Sequence, residues 1–259
     1  MDHLFIKQHW DENARKYDAS HWASWGDNFA VELEIETIAQ YIKDGTRVLD
    51  VGCANGFSTI SQFLRREGKI AITGIDYSEP MIQSAQGAKR VRDLRGDIDF
   101  HVGNVMHIDF PAETFDVVYT TRVLINLPTW EEQQVGINNC LRVAKQGGVV
   151  VLSEAFWEPL VLLNAMRALK QLPPLVEHDF NRYLKKVALE AWLRERQLAF
   201  ENVDFSSVYY LGSRFLRELV TNPADYPGYS NPINKIFFEI EKDFSGGGFG
   251  IQQAYAIRK

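Results

Sequence analysis

The stretch RVLDVGCANGFST, residues 47–59, decides the fold. Its first five residues are a short apolar run of strand type. The run breaks into a turn carrying Gly52, Ala54 and Gly56, and Phe57 then opens an amphipathic helical pattern. A strand that feeds a glycine-bearing turn and then a helix makes an elbow whose main chain a ligand can approach, because glycine has no Cβ and tolerates positive φ. Ala54 interrupts the glycines, and its Cβ restricts the backbone, so an ordinary negative φ is expected there.

Working outward, the next apolar run, 70–75, ends in Asp76. That acid lies ~20–25 residues past the first glycine, the spacing at which a carboxylate can accept hydrogen bonds from both hydroxyls of a ribose. Ser78, Glu79 and Pro80 follow as helix-start residues, so capping is the competing role for the acid. Further strands are expected at 98–102, 115–120 and 149–153, with helices at 57–67, 80–92 and 130–144. Strands alternating with helices imply a parallel sheet covered on both faces, with ligands at the carboxyl ends of the strands.

The flanks are less regular. Residues 9–41 carry two helical stretches. Helices are also expected at 160–172, stopped by Pro173 and Pro174, and at 185–197. FENVDFSSVYY, 200–210, reads as a strand and FGIQQAYAIRK, 249–259, as the last one. Between them 211–248 is too long for a hairpin loop and is expected to be a helical insertion, with helices near 213–220 and 234–244. GGGFG, 246–250, reads as a hinge or tight turn into the final strand.

Composition narrows the classes. The chain has 259 residues and a formal net charge of −6, which argues against a nucleic acid as the main partner, since phosphate backbones select basic surfaces. No apolar stretch reaches the ~18 residues of a spanning helix, so no membrane partner is expected. The first residues, MDHLFIKQHWDENA, lack the apolar core of a signal peptide. The two cysteines, Cys53 and Cys140, form no metal-ligand pattern and read as buried thiols of a reducing compartment, so a cytoplasmic location and no metal are expected.

The order DVGCANG, GIDYSEPMI, VGNVMHIDFPAETFDVVYTTRVLINL and LRVAKQGGVVVLSE resembles the class I S-adenosylmethionine (SAM)-dependent methyltransferases, over residues 46–156. The resemblance implies an α/β, Rossmann-like, mostly parallel sheet whose seventh strand is antiparallel, with helices on both faces. SAM is then the cofactor and S-adenosylhomocysteine (SAH) the product. It places the turn Gly52, Cys53, Ala54 and Gly56 around the methionine moiety, with Asp50 near its ammonium group, and Thr121 is among the cofactor-binding residues expected. It places Asp76 on the ribose and Tyr77 or Met81 against the adenine. Asn104 stands where the family usually has an acid; its amide oxygen can still accept from the adenine amino group, and the Val105 N–H can donate to the ring. The segment WDENARKYD often lies over the cofactor in that family, which implies contact by Tyr17. The domain organisation that follows is an N-terminal helical lid, 1–45, and a methyltransferase domain, 46–259, with an α-helical substrate cap inserted at 157–199 and 211–248.

Acceptor-side candidates lie past the strand ends. His178 or Glu154 is expected to orient or deprotonate the acceptor, and Arg214 or Arg122 to meet an anionic group. Asn126, Asn181, Tyr183 and Tyr210 complete the substrate-binding set. A sulfonium methyl is already activated, so alignment supplies most of the rate and a base is needed only for a poorly acidic acceptor. The expected function is methyl transfer to oxygen or nitrogen of a small polar metabolite such as a natural product, heterocycle or sugar, by a monomer or homodimer. A protein or RNA methyltransferase, a nicotinamide-dependent oxidoreductase and a non-catalytic SAM- or SAH-binding module are the alternatives. The IDYSEPMI and QGGVVVLSE segments argue against the oxidoreductase.

Overall fold

The apolar runs flanking the elbow become the centre of a sheet in the computed structural model, which describes residues 3–17, 20–23, 25–222, 225, 228, 229 and 231–259. The strands are β1 (Arg47–Val51), β2 (Ala71–Asp76), β3 (Ile98–Val102), β4 (Phe115–Thr121), β5 (Ala144–Ala155), β6 (Ala199–Val203) and β7 (Gln252–Arg258). Their order is β3-β2-β1-β4-β5-β7-β6, with β1 to β5 parallel and β7 antiparallel to both β5 and β6. The chain winds outward from β1 to β3 and then returns to β4 on the other side of β1. The order therefore reverses between β1 and β4, which opens a crevice at their carboxyl ends.

The helices are α1 (His3–Tyr17), α2 (Asn28–Ala39), α3 (Phe57–Arg65), α4 (Glu79–Val91), α5 (Trp130–Val143), α6 (Trp157–Ala168), α7 (Lys186–Glu195), α8 (Ser207–Leu211), α9 (Arg217–Val220) and α10 (Ile233–Asp243). Ser78 caps α4 by accepting the Met81 N–H, and Thr129 caps α5 by accepting the Glu132 N–H at 3.2 Å. α1 lies on α4, where Ser78 Oγ donates to Asp11 Oδ1 at 2.5 Å. Trp10, Tyr17 and Ala54 pack around Ala14, Ala23 and Met81 in a small apolar cluster separate from the main core. α2 packs against α3 and α10. No helix among the described residues is long and apolar enough to cross a membrane.

Two expectations are corrected. The strand read over 200–210 stops at Val203, and Ser207–Leu211 is helical, running into a π-helical stretch, Gly212–Leu216, and then α9. Val208, Tyr209 and Tyr210 favour strands by propensity, but tertiary contacts override it. Glu241 of α10 sits at the first turn of α8 and accepts the Tyr209 N–H at 2.7 Å, satisfying a donor that an isolated helix start would leave open. Ala54, expected at negative φ, has φ +47. Its N–H is turned onto Asp76 Oδ2 at 3.0 Å, and that charge-assisted bond offsets a left-handed cost of about 1–2 kcal/mol.

Candidate functional site

The elbow is held open by its backbone. Gly52 and Gly56 have φ +77 each, and a Cβ on Gly52 would come within 2.1 Å of Val123 Cγ2. Cys53 and Gly52 both donate their N–H to the Ile75 carbonyl, at 2.9 and 2.7 Å, which locks the turn to the end of β2. Asp76 then accepts two main-chain N–H groups, Ala54 on Oδ2 and Ser78 on Oδ1 at 2.9 Å. A carboxylate offers about four acceptor positions, so two remain. Burial pushes the Asp76 carboxyl up to about 6, against the pull of the Ser78 and Ala54 N–H groups.

A cavity of about 470 Å³ runs over these strand ends. At the β1–β2–β3 end its wall contains Gly52, Cys53, Ala54 and Asp76, with Tyr77, Met81, Asn104 and Val105 beyond. The Tyr77 hydroxyl is buried without a hydrogen-bond partner, and burial raises its pKa above the usual range. Asn104 Oδ1 accepts the Met106 N–H at 2.9 Å. At the β4 end the wall contains Thr121, Arg122, Val123 and Asn126. Leu4, Ile6, Lys7 and Trp10 of α1, with Val31 and Glu34 of α2, wall it from the N-terminal helices.

Arg122 organises the β4 end. It sits at φ +57, its N–H donating to the Ser153 carbonyl at 2.8 Å as the chain leaves β4. Its guanidinium lies 4.8 Å over the Trp25 ring and pairs with Glu34. Glu34 also accepts from Ser153 Oγ at 2.6 Å and Gln252 Nε2 at 3.0 Å. Asn126 Nδ2 donates to the Arg122 carbonyl at 2.8 Å, which leaves Asn126 Oδ1 buried without a partner.

Several expected site residues do not line the cavity. Asp50 is buried beneath the elbow, accepting from Thr59 Oγ1 at 2.6 Å and the Tyr119 hydroxyl at 2.8 Å on one oxygen, while its other oxygen has no partner. Burial pushes that carboxyl up to about 7. Gly56 starts α3, and Tyr17 stacks on Trp22 with centroids 6.5 Å apart. Glu154 is a buried member of β5. It accepts from Thr120 Oγ1 at 2.7 Å and from the N–H groups of Val123, Leu124 and Ile125 at 3.2, 3.1 and 3.3 Å. It therefore anchors the turn that presents Arg122 and Asn126, and does not face the cleft. Burial holds it near 7 despite those donors.

The cap candidates are likewise engaged elsewhere. His178 stacks on Phe180 at 5.7 Å, and Phe180 in turn meets His9 of α1 at 4.5 Å. Asn181 is buried and follows that ring, with its N–H on the His178 carbonyl at 2.9 Å. The Tyr183 N–H bonds Glu177 Oε1 at 2.6 Å, and burial pushes its phenol up to about 12. Arg214, on the π-helical stretch, is buried in an ion pair with Asp27 and lies 4.9 Å over the Tyr210 ring. Burial alone would lower its pKa, but the Asp27 carboxylate raises it above the ordinary value. Its charge is thus already matched, and Tyr210 is part of its packing. Glu34 and Lys7 escaped the sequence reading. An acid on the apolar face of α2, one turn from Val31 and Ile38, was the available signal for Glu34. No group of His, Cys, Asp or Glu among the described residues could hold a metal.

The methyltransferase-domain family profile matches residues 42–209. The ubiquinone biosynthesis O-methyltransferase of Alkalilimnicola ehrlichii is 25% identical over 218 residues, covering 79% of this chain and 85% of that one. Its Pseudomonas aeruginosa namesake is 30% identical, covering 61% and 67%. Among solved structures, the [4+2]-cyclase SpnF superimposes with a TM-score of 0.57 at 22% identity, covering 89% of this chain and 82% of that one, a likeness of fold alone.

The residues present fit SAM. The elbow leaves main chain open to a ligand, and Asp76 keeps two acceptor positions. Tyr77 and Asn126 both line the same hollow, and each carries a buried, unpartnered polar atom. With the sheet order and the family match, these features show that the chain belongs to the class I SAM-dependent methyltransferases.

Proposed function

We propose that this methyltransferase acts on an oxygen of a small molecule enclosed between the strand ends and the N-terminal helices. The observation that carries the reading is the cavity, a single hollow of about 470 Å³ reaching from Asp76 to Arg122 and walled by Leu4, Ile6 and Trp10 of α1. That volume is typical of small-ligand pockets, whereas a polymer needs an open groove. The two relatives described as ubiquinone biosynthesis O-methyltransferases favour oxygen as the acceptor.

In this reading Asp76 accepts from the ribose hydroxyls, the elbow at Gly52–Ala54 holds the methionine moiety, and Tyr77 and Met81 flank the adenine. When bound, SAM supplies a methyl on a positively charged sulfur: the acceptor oxygen's lone pair forms the bond to carbon while the carbon–sulfur pair returns to sulfur, leaving SAH. Arg122 and Asn126 face the acceptor, and α1 excludes water over both ligands. Proximity and alignment supply most of the rate. The test is transfer from methyl-labelled SAM into a fractionated cell extract, alongside calorimetric SAM binding. Label confined to the small-molecule fraction supports the reading. Label in protein or RNA, or an absence of SAM binding, overturns it.

A further inference from the structure

Among the described residues, the acceptor half of the cavity holds a cation and no free base. Each titratable group in the described wall is accounted for. Lys7 is paired with Asp11 at 2.9 Å and Arg122 with Glu34. Glu34 accepts from three donors, Arg122, Ser153 and Gln252, so its oxygens are engaged within the protein. Asp76 lies on β2, two strands from β4 and therefore roughly 10 Å away across the sheet. The Tyr77 phenol and the Cys53 thiol are both pushed up by burial and stay protonated. Glu154 is outside the wall, bonded to four donors, and His178 is stacked against Phe180.

Among the described residues, the one cation in the wall at the β4 end is the Arg122 guanidinium. Its Nη1 serves Glu34 and its face rests on Trp25, which leaves other N–H donors of a five-donor group without a partner among the described residues. Its positive φ is stabilised from two sides, by its N–H on the Ser153 carbonyl and by Asn126 on its own carbonyl. A residue held in a sparsely populated conformation beside a ligand cavity marks a placed side chain.

We propose that the acceptor carries an acidic hydroxyl, of phenol or enol type, which ionises on binding against Arg122, with no protein group taking its proton. This rests on the methyl-transfer reading and names the substrate class for it. The proton goes to solvent before the acceptor is covered, and the negative charge stays on the oxygen, facing the guanidinium. An aliphatic alcohol, whose proton needs a base, is excluded from this site as an efficient acceptor.

The test uses 4-nitrophenol, whose anion absorbs in the visible, titrated on the protein saturated with SAH. The expected result is saturable binding with the probe's apparent pKa lowered by about one unit, a roughly tenfold gain in the ratio of anion to neutral form. Arg122→Gln alone leaves Glu34 buried and unpaired, so the informative variant is the double Glu34→Gln, Arg122→Gln. In it the shift should vanish while SAH affinity, by calorimetry, stays within about twofold. An unchanged or raised probe pKa on the native protein, or a shift that survives in the double variant, overturns the proposal. So does a double variant that loses SAH instead, which would assign Arg122 to the cofactor's carboxylate. Each of these outcomes leaves labelled methyl transfer to small molecules intact, so a failure here is separable from a failure of the proposed function.

Discussion

The elbow end of the cavity is shaped by main chain steadied by one nearby carboxylate, whereas the β4 end, and the cap outside the cavity wall, are held by buried ion pairs between residues far apart in the chain. Asp76 reaches back 22 residues to Ala54. Arg122 and Glu34 are separated by 88 residues, and Arg214 and Asp27 by 187. The first arrangement can bind a constant ligand with local sequence alone. The second ties three separate chain segments together, with one pair in the cavity wall and one outside it, so it exists only in the completed fold.

The largest effect should come from breaking the long-range pair at the cap. Arg214→Met leaves Asp27 buried without its cation and is expected to cost about 3–5 kcal/mol in urea unfolding, with Asp27→Asn in the same chain recovering most of the loss. Equal losses in the single and double variants would show that the pair is not what holds the cap. Next, Asp76→Ala should weaken SAH binding about 100-fold by calorimetry, the worth of two charge-assisted hydrogen bonds. A loss below about threefold would remove the carboxylate from the ribose.

Glu154→Ala sharpens the contrast from the other side, because this acid lies at the β4 end yet acts on main chain. Stripping the acceptor from the N–H groups of Val123, Leu124 and Ile125 should destabilise the protein by about 2–3 kcal/mol. Preserved stability with lost turnover would return Glu154 to a catalytic role.

The smallest effect concerns pH. Asp50 and Glu154 are held by burial near 7, above ordinary carboxyl values of 3.8 and 4.5. Between about pH 4 and 7 the folded state therefore keeps protons that the unfolded chain has released, so stability falls as pH rises through that window. Asp50→Asn should flatten the fall in melting temperature between about pH 5 and 8, since an amide nitrogen can occupy the position of the unpartnered oxygen. Identical falls in both proteins would show that Asp50 does not titrate there.

This division also marks what the sequence could reveal. The elbow, Asp76 and the strand alternation are read from neighbours within a few dozen residues, and periodicity reports them directly. Ala54 defeated the reading because its φ is set by a hydrogen bond to a different strand. Residues 200–210 defeated it because Glu241, on a helix some 30 residues later, supplies the acceptor that lets a strand-prone run coil. Arg214 looked like a free cation because nothing near it in sequence announces Asp27. Glu154 follows a strand-like run as a cleft acid would, but the strand continues to Ala155 and turns the carboxylate onto the next loop. Pairing over long separations leaves no periodic trace.

The position of β7 has a consequence for how the chain is made. β7 follows β6 in sequence by almost 50 residues yet lies between β5 and β6 in the sheet. During synthesis β5 and β6 therefore emerge before the strand that joins them, and each presents an unpaired edge until residues 252–258 leave the ribosome. Growing chains should be most prone to associate with one another in that interval, and holding chaperones should engage them there.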